Sequence, residues 1–157
     1  MEPNKKVTLE KLHFDILINA DITKVYNSML DSESYSEWTS AFNPTSRYEG
    51  SWEKGSTIYF IGTGEDGKEG GMVSRIDENI PNKFVSIEHF GILKDGHEVT
   101  SGEEVEKWAG GYEVYSFEEV DGKTRVSVAV DVTPEFRQYM IDTYPVALEK
   151  LKEICER

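Results

Sequence analysis

The chain has 157 residues, with 17 Lys+Arg against 30 Asp+Glu and a formal net charge of −13. Its 38% apolar content is too high for a disordered chain, and its acidity repels phosphate backbones and anionic lipid surfaces, so nucleic acid is not an expected partner. A lone cysteine, Cys155, excludes a disulfide framework and a Cys-rich zinc site, and no apolar run reaches the ~18 residues of a membrane span.

This length suits a single domain over residues 1–157, burying roughly two-thirds of the surface that its unfolded chain exposes. Met1 to Lys6 carries no apolar stretch of signal-peptide kind, which points to a soluble cytoplasmic protein. Three Trp, 8 Tyr and 7 Phe suffice to build a core or line a pocket.

Leu12, Phe14, Ile16 and Ile18 alternate with Lys11, His13 and Asp15, which predicts a long strand with one apolar face. Ile22, Val25, Tyr26, Met29 and Leu30 then recur at helical spacing behind Asp21, a good N-cap. A second short helix is expected from Ser34, where Ser34-Tyr35-Ser36-Glu37 fits a capping box; it carries Trp38 and Phe42 and stops at Pro44. Strands follow over Tyr48–Trp52, Thr57–Ile61, Met72–Ile76 and Phe84–Phe90, with a Gly-rich turn from Gly62 to Gly71 and another at Pro81-Asn82. Gly91 to Glu106 reads as a polar, acidic loop with a turn at Asp95-Gly96. Lys107–Val120 and Thr124–Val132 form a hairpin about Asp121-Gly122. The end is a long helix opened by Pro134, with a stripe of Phe136, Tyr139, Met140, Thr143, Ala147, Leu148, Leu151 and Ile154, kinked or split near Ile141 by Pro145.

Long strands with one apolar face must bury it, and the C-terminal helix is the element large enough to cover a curved sheet. A curved sheet and a straight helix mismatch in shape, which can leave a cavity. Parity turns Leu12, Phe14, Ile16, Val126, Val128 and Val130 inward, with Val85, Ile87 and His89 on one middle strand and Glu113, Tyr115 and Phe117 on another. Trp38 and Phe42 are expected at one mouth, with Met140 and Tyr144 on the helix. Such a lining is the usual form of a small-molecule site, and the same faces suit a packed core.

His89 and Glu113 are the sharpest pair, since an inward carboxylate needs a partner and an imidazole supplies one. Together they can orient or deprotonate a bound polar group; His89 bonded to backbone, or Glu113 turned to solvent, is the alternative. Gly62-x-Gly64-x-x-Gly67 matches a dinucleotide pattern by letter, but no helix opens after it and Glu65 and Asp66 repel phosphate. His13, His89 and His97 have no metal-ligand spacing, so neither a metal nor a cofactor is expected. Cys155 reads as a structural thiol, and the acidic run Glu98–Glu106 either discourages anions at a mouth or is a solvated loop.

A set of short motifs carries a family resemblance. They are Phe14-x-Ile16-x-Ile18-x-Ala20, Val25, Leu30-Asp31, Trp38, Gly50-Ser51-Trp52, Gly55-Ser56 and Gly71-Met72-Val73. Glu88-His89-Phe90-Gly91, Trp108-Ala109-Gly110-Gly111-Tyr112-Glu113-Val114-Tyr115, Gly122-x-Thr124 and Tyr144-Pro145-Val146-Ala147-Leu148 complete the series. In this order the chain resembles the SRPBCC (START-like, helix-grip) superfamily, in the branch sharing a domain with activators of the heat-shock protein ATPase. The resemblance implies an α+β fold, in which a curved antiparallel sheet of six to seven strands wraps a long C-terminal helix, with two short helices after the first strand. Similar domains bind lipids, sterols, polyketides or hormones, act as cyclases, or assist chaperones, so the site is argued separately.

The expected function is binding of a small hydrophobic or amphipathic molecule between sheet and helix. Its contacts are Trp38, Phe42, Ile87, His89, Glu113, Tyr115, Phe117, Val128, Met140 and Tyr144, with Tyr115, His89 and Glu113 setting orientation. The alternatives are a polyketide cyclase/aromatase-like enzyme with His89 or Tyr115 as acid or base, and a chaperone ATPase co-regulator. Activators of that last kind carry an additional N-terminal domain, which these 157 residues do not include. A homodimer is compatible with any of the three.

Overall fold

The computed structural model describes residues 9–106 and 109–157. Strand β1 (Glu10–Ile18) turns Leu12, Phe14, Ile16 and Ile18 to the core, as their alternation requires. Helix α1 (Ile22–Leu30) starts where the Asp21 carboxylate accepts from the Lys24 amide at 3.0 Å, and it buries Val25, Met29 and Leu30. Asp21→Ala orphans that amide and is expected to cost about 1 kcal/mol, read from denaturant melts; an unchanged midpoint would show that water replaces the cap.

Helix α2 (Ser32–Trp38) begins two residues before the expected Ser34. Asp31 closes α1 and caps α2 at once, its carboxylate accepting from the Ser34 amide, so the Ser34–Glu37 box lies inside the helix. A 3₁₀ turn over Thr39–Ala41 follows.

Five strands come next: β2 (Arg47–Gly50), β3 (Thr57–Thr63), β4 (Glu69–Ile80), β5 (Phe84–Lys94) and β6 (His97–Val99). The Gly-rich turn is shorter than expected, because pairing of Thr63 with Glu69 extends the β3–β4 hairpin into it. Gly71 makes that pairing possible. Its φ is 153°, and a Cβ there would stand 1.8 Å from the Phe60 carbonyl oxygen. Residues 91–106 are not simply loop: they finish β5, form β6 and hold one helical turn, α3 (Glu103–Glu106). Strand β7 (Gly111–Val120) is joined to β8 (Lys123–Val132) by Asp121-Gly122, both at positive φ as a tight hairpin turn needs. The expected start of β7 at Lys107, and the motif residue Trp108, lie outside the described residues.

A 3₁₀ turn over Pro134–Phe136 leads into α4 (Arg137–Cys155). Pro145 sits within α4 without dividing it. The buried seam is Tyr144, Ala147, Leu148, Leu151 and Cys155, while Phe136 and Tyr139 are exposed. The expected stripe therefore errs at its start: those two aromatics precede the seam, and Tyr139 instead donates its hydroxyl to the Phe42 carbonyl at 3.0 Å. Burial raises the pKa of the Cys155 thiol, which agrees with an inert, structural role.

The strands form one antiparallel sheet in the order β1-β8-β7-β5-β4-β3-β2, with β6 beside the far half of β5. This is the α+β helix-grip architecture, with eight strands once β6 is included. Helix α4 packs on β1, α1 and α2 and shares the core with the inward faces of β5, β7 and β8. Among the described residues no helix is long and apolar enough to cross a membrane.

Candidate functional site

Antiparallel pairing of β5 with β7 places Ile87 opposite Glu113 and His89 opposite Gly111. The two inward faces thus bring His89 and Glu113 together, with Nε2 3.4 Å from Oε1. That is an ion-pair distance, longer than a well-formed hydrogen bond. The Tyr144 hydroxyl, reaching across from α4, donates to Glu113 Oε2. Behind the imidazole, Ser74 Oγ on β4 lies 2.6 Å from His89 Nδ1. A carboxylate only accepts, so the proton facing it belongs on Nε2, and Nδ1 is the ring nitrogen that shares a hydrogen bond with the Ser74 hydroxyl. His89 is 6% exposed and the Glu113 side chain 16%. One carboxylate, one phenol, one imidazole and one hydroxyl are therefore linked in the interior, a set able to orient a polar group or move a proton.

Three phenols surround this charge. Tyr35, Tyr115 and Tyr144 are held well above the usual tyrosine pKa, first by burial and next by the negative charge of Glu113. Tyr35 lies among four rings: Trp38 (centroid distance 5.5 Å), Tyr48 (5.1 Å), Trp52 (6.1 Å) and Phe60 (5.8 Å). Tyr115 touches Trp38 and Trp52, while Phe60 meets the His89 ring edge-on at 6.1 Å. Phe14 stacks on Tyr144 at 5.0 Å, and Phe42 meets it edge-on at 5.1 Å.

The structure distributes the ten expected contact residues as follows. Trp38, Ile87, Tyr115, Phe117, Val128 and Tyr144 are buried in the core; Phe42 and Met140 are half-buried against it. Trp38 is not at a mouth, because its indole donates to the Met29 carbonyl at 3.0 Å and is 1% exposed. Open volume lies elsewhere. A pocket of about 610 Å³ opens at the far end of the β3–β4 hairpin, bounded by Phe60, Gly62, Gly70, Gly71 and Lys94 with Asn43 and Ser46. None of the ten lines it. Phe60 is the link, one side facing the pocket and its edge on His89.

The model for "Activator of Hsp90 ATPase homolog 1-like protein" matches residues 19–156. The chain belongs to this family. Among solved structures that resemble this family member is the solution structure of an Aha1 dimer from Colwellia psychrerythraea, 24% identical, with a TM-score of 0.71 over 94% of this chain and 96% of the other. A crystal structure from Nitrosomonas europaea is 13% identical, with a TM-score of 0.69 over 93% and 94%. DynU16, from the dynemicin biosynthetic locus, is 13% identical, with a TM-score of 0.65 over 93% of this chain and 47% of its own. At these identities the structures establish the fold alone, the helix-grip architecture described above. No curated protein matches the chain.

Within this family member, sequence reasoning overlooked Ser74, Tyr35, Trp52 and Phe60. Ser74 reaches His89 because β4 and β5 pair in a register that sets the two residues opposite each other, and nothing local in either strand fixes that register. Tyr35, Trp52 and Phe60 were visible as aromatics, but their convergence depends on how α2 folds back over β2 and β3. Among the described residues no group of three or more His, Cys, Asp or Glu could hold a metal ion.

Proposed function

We propose that the chain, acting as a single cytoplasmic domain, binds a small hydrophobic or amphipathic molecule. Entry is through the pocket at the β3–β4 end, and contact runs by way of Phe60 toward His89, Glu113 and Tyr115. One observation carries this reading: the 610 Å³ pocket, of the size that small ligands occupy, ends on an aromatic side chain that itself abuts the buried His89–Glu113–Tyr144 group. The helix-grip fold and the lone buried thiol, suited to a reducing compartment, support it. The free energy comes from burial of apolar ligand surface, about 25 cal/mol per Å² before ordering costs, with the polar group setting orientation.

The test is titration with N-phenyl-1-naphthylamine, a neutral apolar fluorophore. Saturable one-to-one binding is expected, and Gly70→Phe, which fills the pocket from its floor, should abolish it. A Cβ at Gly70 meets only the Leu93 carbonyl, at an ordinary 3.6 Å, so the variant is expected to fold. Absence of saturable binding, or binding indifferent to a folded Gly70→Phe, would end this reading.

The linked proton-carrying groups favour a second reading, a cyclase-like enzyme using His89 or Tyr115 as acid or base; turnover lost in His89→Ala with binding retained would establish it. A chaperone-ATPase partner rests on the description of the family and a homodimer on the likeness to the C. psychrerythraea Aha1 dimer, and light scattering distinguishes 17.9 kDa from twice that mass.

A further inference from the structure

Charge and ring placement around the site narrow the ligand class. The one full negative charge inside the aromatic cluster is Glu113, and among the described residues its ion-pair partner is His89, with no Lys or Arg. The groups that touch this carboxylate are the His89 imidazole and the Tyr144 phenol, and no Lys or Arg side chain among the described residues pairs with it. Its field is felt at Tyr35, Tyr115 and Tyr144, whose ionisation it opposes. The outer part of the pocket adds Asp66, Glu69 and Asp95 against Lys68 and Lys94, on a chain whose net charge is −13. Two of those carboxylates are matched by cations: Glu69 pairs with Arg47 at 3.2 Å, and Asp95 with Lys68 at 3.9 Å. At the rim carboxylates and cations balance, so the selection lies deeper, where the Glu113 carboxylate repels an anionic head and attracts a cation.

The inner wall is equally selective. Phe60 lies at the pocket's end with Tyr35 and Trp52 against it at 5.8 and 5.7 Å. Ser46, which hydrogen-bonds Tyr35, is itself a pocket wall. Aromatic rings with a carboxylate behind them attract a poorly hydrated organic cation through the ring quadrupole, and such rings give an anion nothing comparable.

We propose that the ligand of this pocket is an organic ammonium, its cationic head against Phe60 on the side nearest Glu113 and its apolar remainder along the glycine floor at Gly62, Gly70 and Gly71. This rests on the small-molecule reading above and specifies its chemistry. Three probes of one shape separate charge from size: benzyltrimethylammonium, its neutral isostere neopentylbenzene, and benzylsulfonate. Binding is followed by the indole amide signals of Trp38 and Trp52 in NMR titrations.

The cation is expected to bind at least roughly tenfold tighter than the neutral isostere, and benzylsulfonate more weakly than either. Added salt should weaken the cation alone. Glu113→Gln should bring the cation down to the neutral probe's affinity and leave the neutral probe unchanged. If that variant does not fold, the ranking on the unaltered protein decides by itself. Equal affinity for cation and neutral probe, or preference for the anion, overturns the ammonium inference and leaves the small-molecule reading standing. Failure of all three probes while N-phenyl-1-naphthylamine binds also overturns it alone; failure of all four overturns both.

Discussion

Trp38→Ala is expected to lower the unfolding free energy by about 3–5 kcal/mol, out of the 5–15 typical of a domain. The indole is among the largest fully buried side chains. Its removal forfeits edge contacts to Tyr35 and Tyr115, opens a void beneath α2, and takes the donor from the Met29 carbonyl. For a chain of this length each kcal/mol is worth about 2–4 °C, so the melting temperature should drop by roughly 10 °C or more. Trp38→Phe keeps a ring in place and should recover most of the loss. A cost under about 1 kcal/mol for the alanine variant would mean that the interior is already loose there, which would move the ligand space from the hairpin pocket back toward the helix.

Stability should also fall steeply above about pH 10. In the unfolded chain tyrosines titrate near 10, while in the fold Tyr35, Tyr115 and Tyr144 hold their protons to well higher pH, through burial first and the Glu113 charge second. Between those limits the unfolded state binds fewer protons than the native one, so unfolding becomes easier as pH rises. The contribution of the raised pKa values is present in full below the unfolded value and is lost as pH climbs through the folded ones. Each group gives about 1.4 kcal/mol per pH unit, and the three together about 4. Denaturant midpoints taken between about pH 8 and 11.5 should bend downward near 10, with tyrosinate absorbance from these three rising only as the fold is lost. Tyrosinate appearing for all 8 tyrosines before any unfolding would contradict this packing. Tyr144→Phe removes one of the three groups and should make the fall shallower.

Much of the fold was legible in the chain because its signals are local. The period-two alternation around Phe14, the capping carboxylate of Asp21 and the Asp121-Gly122 hairpin each constrain a few neighbouring dihedrals. Errors fell where two local signals competed. Asp31 and Ser34 are both fair caps, and Asp31 prevails because it also closes α1. Parity correctly turned His89 and Glu113 to one side, since neither of the two strands carries a break between those residues and their inward neighbours. The partners behind them, Ser74 and Tyr144, come from the neighbouring strand β4 and from α4 across the core, and no local pattern announces either contact.

By itself the sequence determined an acidic chain whose antiparallel strands are closed by a C-terminal helix, and turned His89 and Glu113 to one face, because side-chain periodicity follows directly from backbone geometry. Only the tertiary structure decided that aromatic rings fill the space between sheet and α4, and that room for a guest lies at the hairpin end beside Phe60. Cavities are what packing leaves over: they depend on the sum of all side-chain volumes and on strand register, and no local stretch of sequence encodes that sum.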